Sequence, residues 1–308
     1  MNARHPYNRP QKPLLYACLL AGGIISSQAS TVLNFPDFSD TSALSINGNA
    51  AQVGNVLRVT PSLPNQSGSV FSTTPVTLDT NVSFSTFFSY RISNSGGISD
   101  EDGQGADGLV FVVQTNSNSV GGIGGGIGYS GIPNSLGIEF DSWNNGLGLG
   151  DPDGNHVAID TGGSLAPNLG AAPVTGARLN NGDIWYAWVD YDGTTDSLEV
   201  RLGDTSTRPL SALLSATVDL TGVLGSTNTF VGFTSGTGAA YNDHDLLSWE
   251  FRDDYNPVIN PPTESVPEGG GTLSILMLGL SGLMIGKKFN SRRTAAGKQP
   301  MKGEAFAP

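Results

Sequence analysis

Residues 136–160 read LGIEFDSWNNGLGLGDPDGNHVAID, a short apolar–acidic alternation that runs into a Gly-rich acidic loop. Successive side chains of an extended strand point to opposite faces. Ile138 and Phe140 therefore share one face, and Glu139 and Asp141 share the other, about 7 Å apart along the strand. Two carboxylates on one face repel unless they are protonated or neutralised by a cation. Asn145, Asp151, Asp153, Asn155 and His156 follow on a segment with enough Gly to fold back. Together these residues offer oxygen ligands for Ca²⁺ and a mixed carboxylate–imidazole set for another divalent ion. The competing reading is an acidic loop that only solvates a turn.

The same alternation recurs outside this segment. In Val82–Ile92, VSFSTFFSYRI, residues Val82, Phe84, Phe88, Tyr90 and Ile92 share one parity, while Ser83, Ser85, Ser89 and Arg91 hold the other. That pattern predicts a half-buried strand. Similar runs lie at Leu109–Val113, Leu136–Phe140, Ile184–Tyr191, Leu198–Leu202, Phe230–Phe233 and Leu246–Phe251, separated by Gly, Asn, Asp, Ser and Pro. Many short strands with turn signals between them predict an all-β, antiparallel β-sandwich. A chain of 308 residues has room for one such domain plus flanking segments.

Charge narrows the ligands. Between Thr31 and Val266 there are six Arg, no Lys and 25 Asp plus Glu. Such a domain repels a phosphate backbone, which excludes nucleic acid as a partner. Acidic loops suit cations or neutral polar ligands.

The ends read differently. Residues 1–29 have the order of a signal peptide: basic residues, the apolar run Leu14–Ile25, then small residues through Ala29. The lone Cys18 lies inside it, so the mature chain would carry no disulfide. A lipoprotein reading at Cys18 is disfavoured by bulky Tyr16. The domain is expected at 30–254 and a Pro-rich linker at 255–268. Residues 269–293 hold an apolar stretch, Leu273–Ile285, and a basic cluster at Lys287, Lys288, Arg292 and Arg293. A basic, disordered tail is expected at 294–308. The apolar stretch is short for a span, which needs about 20 residues.

The series Glu139-Phe140-Asp141, Trp143, Asn145, Asp151-Pro152 and His156 resembles the signature of the L-type (legume-type) lectins. Three further motifs agree in order. They are Ala106-Asp107-Gly108, Gly124-Gly125-Gly126-Ile127-Gly128, and Val231–Thr234 through Gly238-Ala239-Ala240 with His244–Trp249. The resemblance implies a concanavalin A-like jelly roll and a carbohydrate-binding protein, not an enzyme. It implies that Asp141 and Asp151 bridge two metals, with Asn145 and the Trp143 carbonyl completing a Ca²⁺ site. Glu139 and His156 would complete a second site, for Mn²⁺ or Ca²⁺. The interval from Asn145 to Asp151 is one residue longer than in plant members, which leaves Asp153 as an alternative ligand. The implied sugar site is Asp107 as acceptor after a cis peptide bond, backbone N–H groups of Gly125, Ala239 and Ala240, Trp143 as aromatic wall, and Asn145. Trp185, Trp188 and Trp249 are assigned to packing, and His244 and Asp245 to pinning the last strand. A homo-oligomer paired through edge strands is compatible with the family.

Val266-Pro267-Glu268, followed by the apolar stretch and the basic cluster, resembles a PEP-CTERM sorting signal, although Gly269 stands where proline is usual. It implies an exosortase-type partner and a cell-surface or extracellular protein tied to extracellular polysaccharide. A plain membrane anchor is the simpler alternative. Two other functional readings compete. A structural matrix protein with a degenerate lectin domain fits the acidic loops. A glycoside hydrolase of the same fold would need a Glu where Asn144 stands.

Overall fold

The computed structural model describes residues 31–79, 81–121, 124–146, 148–259 and 261. The expected signal peptide, the sorting signal and the basic tail lie outside them.

The described residues form a sandwich of two antiparallel eight-stranded sheets. The front sheet runs Ala171–Pro173, His156–Thr161, Ser135–Asp141, Gly108–Gln114, Asn228–Gly236, Ser67–Ser72, Leu44–Gly48, with Val76–Thr77 also on Asn228–Gly236. The back sheet runs Leu214–Thr217, Ser197–Gly203, Trp185–Asp192, Phe84–Gly97, Ala240–Arg252, Val56–Thr60, Ala51–Val53, with Thr31–Phe35 also on Ala240–Arg252. Each predicted strand is present and extends one to six residues past the apolar run at one or both ends, but two begin late: Val82 and Ser83 precede Phe84–Gly97, with Val82 at a φ of 52°, and Ile184 precedes Trp185–Asp192. The N-terminal strands were not foreseen, although Thr31–Phe35 and Val56–Thr60 are each rich in apolar residues.

The core lies between the sheets. Phe88 meets Phe140 edge-on at 5.5 Å and Phe233 at 4.9 Å, and Phe233 meets Trp249 at 5.0 Å. Such edge-to-face pairs are favoured by the ring quadrupole.

Two outer faces are covered as well. On the front sheet, Val110 and Val112 point away from the core, and Ile127, Tyr129 and Ile132 of the following loop close over them. Gly137 permits this closure, since a Cβ there would stand 2.7 Å from the Tyr129 ring. On the back sheet, the strand Phe84–Gly97 departs from the half-buried expectation. Ser85, Phe87 and Ser89 are also buried: Ser89 bonds Ser248 of the neighbouring strand, and the chain after Arg252 crosses Ser85 and Phe87. Val258 packs on Phe87 and Trp188, and the Asn256 amide donates to Ser85 Oγ at 2.9 Å. The start of the stretch read as a linker is therefore packed against the sheet.

Candidate functional site

Register builds the acidic half of the site. In the pair Ser135–Asp141 and His156–Thr161, Asp141 lies opposite His156, Glu139 opposite Ala158 and Gly137 opposite Asp160. Alternation turns Ile138, Phe140, Val157 and Ile159 into the core. It leaves Glu139, Asp141, His156 and Asp160 together on the outer face. All four are buried, and Glu139, Asp141 and His156 can each bring one ligand atom within 4.8 Å of the others.

This arrangement is electrostatically unfavourable on its own. Burial, with Asp141 and Asp160 as neighbours, holds the Glu139 carboxyl well above its usual range. Burial does the same to Asp141, and Asp151 and Asp107 add to it. Asp160 is pushed up to about 7 by burial. Glu139 Oε2, Asp141 Oδ2, both Asp160 oxygens and His156 Nε2 have no hydrogen-bond partner. A divalent cation is the group that would satisfy clustered acceptors of this kind.

The imidazole is set up for the same role. His156 Nδ1 lies 2.9 Å from the Asp153 carbonyl, which can only accept, so Nδ1 carries the proton. The Nε2 lone pair is then free, and Asp151 Oδ1 lies 3.8 Å from it. Burial lowers the His156 pKa, which keeps the ring neutral and able to ligate. Asp151 is buried at the cluster, whereas the Asp153 side chain is one-third exposed and caps the Asn155 amide. Asn155, whose oxygen was a possible ligand by sequence, is fully engaged elsewhere. Its amide group donates to Val174 and Ala177 carbonyls, and its oxygen accepts from the Leu179 amide.

The loop is folded around the acids. Asp141 Oδ1 accepts from the Trp143 amide at 2.6 Å, and Asp151 Oδ2 from the Asn145 amide at 2.6 Å. Trp143 is only partly covered, in contrast to buried Trp185, Trp188 and Trp249.

The Ala106–Asp107 peptide bond is cis. The Asp107 amide donates to the Gly236 carbonyl at 3.2 Å. Its own carbonyl accepts from Ser142 N and Oγ at 2.9 and 3.0 Å, which ties Asp107 to the first residue of the acidic loop. Asp107 Oδ2 has no partner, and burial raises its carboxyl to about 7. Gly125 stands against Asn145: a Cβ at 125 would lie 2.9 Å from Asn145 Oδ1. The chain thus brings Asp107, Gly125, Asn145 and the acidic cluster to one end of the front sheet. Ala239 is exposed in the turn after Gly236. Ala240 is buried and paired with Gly97, and its carbonyl accepts from the Gly238 amide.

His244 and Asp245 pin the last strand. Arg58 grips Asp245 through Nε at 2.7 Å and Nη2 at 2.9 Å, and His244 Nδ1 meets Thr60 Oγ1 at 2.8 Å. The reading from sequence missed Asp160, whose parity with His156 was available as a signal. It also missed Ser142 and Asp100, for which no local pattern exists.

The family model for the legume lectin domain matches residues 30–267. An L-type lectin-domain containing receptor kinase, VIII.1 of Arabidopsis thaliana, is 29% identical over 219 residues, which is 70% of this chain and 28% of that protein. The chain spans less than two fifths of the receptor kinases it matches. A lectin-like protein of Arabidopsis thaliana is 27% identical over 267 residues, 74% of this chain and 94% of its own length. Among solved structures, basic winged bean lectin with Tn-antigen superposes with a TM-score of 0.59 at 28% identity, covering 71% of this chain and 96% of its own. A metal-free form of lectin I-B4 from Griffonia simplicifolia gives 0.59 at 25%, covering 71% and 97%.

Proposed function

The chain belongs to the legume lectin domain family, and from that premise we propose that it is an exported, non-catalytic protein that binds a saccharide in a metal-ordered site. The observation that carries this reading is the convergence of Asp107, Gly125 and Asn145 on a buried acid–imidazole cluster with unpaired ligand atoms. Asp141, Asp151, Asn145 and the Trp143 carbonyl would hold Ca²⁺. Glu139, Asp141, Asp151 and His156 would hold a second divalent ion. Bound, the cations supply a fixed positive cross-link between strand and loop. Asp107 then accepts from sugar hydroxyls, Asn145 both donates and accepts, the Gly125 backbone approaches the ring closely, and Trp143 covers an apolar ring face.

Residues 1–29 support export, and Val266-Pro267-Glu268 with the apolar and basic segments supports exosortase-type sorting to the cell surface or an extracellular polysaccharide. The test is a glycan array with calcium and after chelation, on wild type and Asp107→Ala. Binding should need the metal, and Asp107→Ala should abolish it with the fold intact. A change in affinity below about threefold removes Asp107 from the site. Calcium-dependent stabilisation without any glycan bound would favour a structural role.

A further inference from the structure

The segment between the back-sheet strand Phe84–Gly97 and Asp107 folds as a small hairpin, Ser99–Asp100 paired with Gly103–Gln104. It lies against the acidic loop. Asp100 Oδ2 accepts from the Asn144 amide at 2.9 Å, and Glu101 bonds the Asn144 side chain. Asp102 Oδ2 accepts from the Gly154 amide at 2.8 Å. These two amides bracket the loop: Asn144 lies between Trp143 and Asn145, and Gly154 lies two residues before His156. The carboxylates press closely, since a Cβ at position 154 would meet Asp100 Oδ2 at 2.4 Å and Asp102 Oδ2 at 2.9 Å.

The hairpin is also anchored at its base. Gln104 Nε2 donates to the Gly97 carbonyl at 2.7 Å, Asn180 Nδ2 to the Gln104 carbonyl at 3.2 Å, and the Ile98 amide to the Ala239 carbonyl at 3.3 Å. One short element therefore touches the acidic loop at both ends, reaches the Ala239 turn, and leads into Asp107.

We infer that Asp100 and Asp102 are positioning residues that hold the acidic loop in its metal-receiving shape before the cation arrives. The inference rests on the metal-dependent lectin reading above. Mutual repulsion of Glu139, Asp141, Asp151 and Asp160 pushes a metal-free loop outward, and the two bonds oppose that from outside the cluster. A preformed loop loses less freedom on binding, so the hairpin contributes to calcium affinity without touching calcium.

Two asparagine variants separate the bonds from the charges. Asp102 makes its loop bond through one oxygen, so Asp102→Asn keeps an acceptor for Gly154 and removes only the charge. Asp100 uses Oδ1 for the Asp102 and Gly103 amides and Oδ2 for Asn144. Asp100→Asn therefore keeps the turn and sets an N–H against the Asn144 N–H.

The experiment is calcium titration calorimetry on the full chain, with hydrogen exchange at the Asn144 and Gly154 amides in chelator. Asp102→Ala and Asp100→Asn should bind calcium at least about fivefold more weakly, and each should lose protection at its own amide. Asp102→Asn should stay within about twofold of wild type, and saccharide affinity at saturating calcium within about threefold for all. Should Asp102→Ala fail to fold, Asp100→Asn carries the test. Calcium affinity unchanged in both, or Asp102→Asn weakened as far as Asp102→Ala, overturns the inference and leaves the lectin reading standing. No calcium binding by wild type overturns both.

Discussion

Asp141→Asn should stabilise the metal-free protein and abolish its stabilisation by calcium. Asp141 is fully buried. One oxygen takes the Trp143 amide at 2.6 Å and the other has no donor. Burial, Asp151 and Asp107 all disfavour its charge. Asparagine keeps the acceptor for Trp143 and turns an N–H toward the acids. Each pKa unit of unfavourable charging is about 1.4 kcal/mol, so a gain of at least about 1–2 kcal/mol is expected in chelator at neutral pH, or a few degrees in Tm. The sign follows from linkage. The folded pKa lies above the unfolded value of 3.8. The stability carried by the protonated form is complete below that value and lost as pH rises through the folded pKa. The lead of the variant in chelator therefore grows with pH. Calcium at a hundredfold excess over Kd adds about 2.7 kcal/mol to wild type and little to the variant, so the variant's lead falls by about that amount. Urea denaturation with chelator or calcium reads both. A variant less stable than wild type in chelator above about pH 7 would refute the repulsion argument.

Gly125→Ala should cut saccharide affinity at saturating calcium by at least about tenfold with Tm unchanged, because its Cβ would displace Asn145 Oδ1; titration calorimetry shows whether it does. Burial lowers the His244 pKa to about 3, so the folded ring stays neutral while the unfolded one protonates near 6.5. Its contribution is present above 6.5 and lost as pH falls toward 3, at up to about 1.4 kcal/mol per pH unit. The stability lead of wild type over His244→Gln, from urea midpoints, should shrink between about pH 7 and 5. Phe87→Ala should cost about 3–5 kcal/mol and make the chain after Arg252 protease-sensitive. A cost under about 1 kcal/mol would mean that Val258 only rests on that face.

Much of the site was legible because strand alternation is local. The parity of Glu139 with Asp141 puts both carboxylates on one face wherever the strand lies; the same rule holds for His156 and Asp160, but it went unused because the residues up to His156 read as a Gly-rich loop and not as the start of a strand. Gly125 and Asp107 were legible only through the resemblance, since a Gly-rich run and an isolated Asp carry no period of their own. The half-buried expectation for Val82–Ile92 failed for a non-local reason. Serine at the second parity signals solvent, yet Ser85 accepts from the Asn256 amide of a segment that arrives more than 160 residues later, and Ser89 bonds Ser248 of the neighbouring strand.

Residue type and spacing alone determined the all-β class, the shared face of Glu139 and Asp141, and a donor set suited to divalent cations. Only tertiary structure decided that Gly125 stands against Asn145, that Asp153 turns His156 with its carbonyl while Asp151 lies at the cluster, and that the hairpin of Asp100 and Asp102 grips the loop from outside. Alternation is set by neighbouring bonds and survives in any fold. The other contacts join residues far apart in the chain, and they exist only because two whole sheets bring the loop ends to one place.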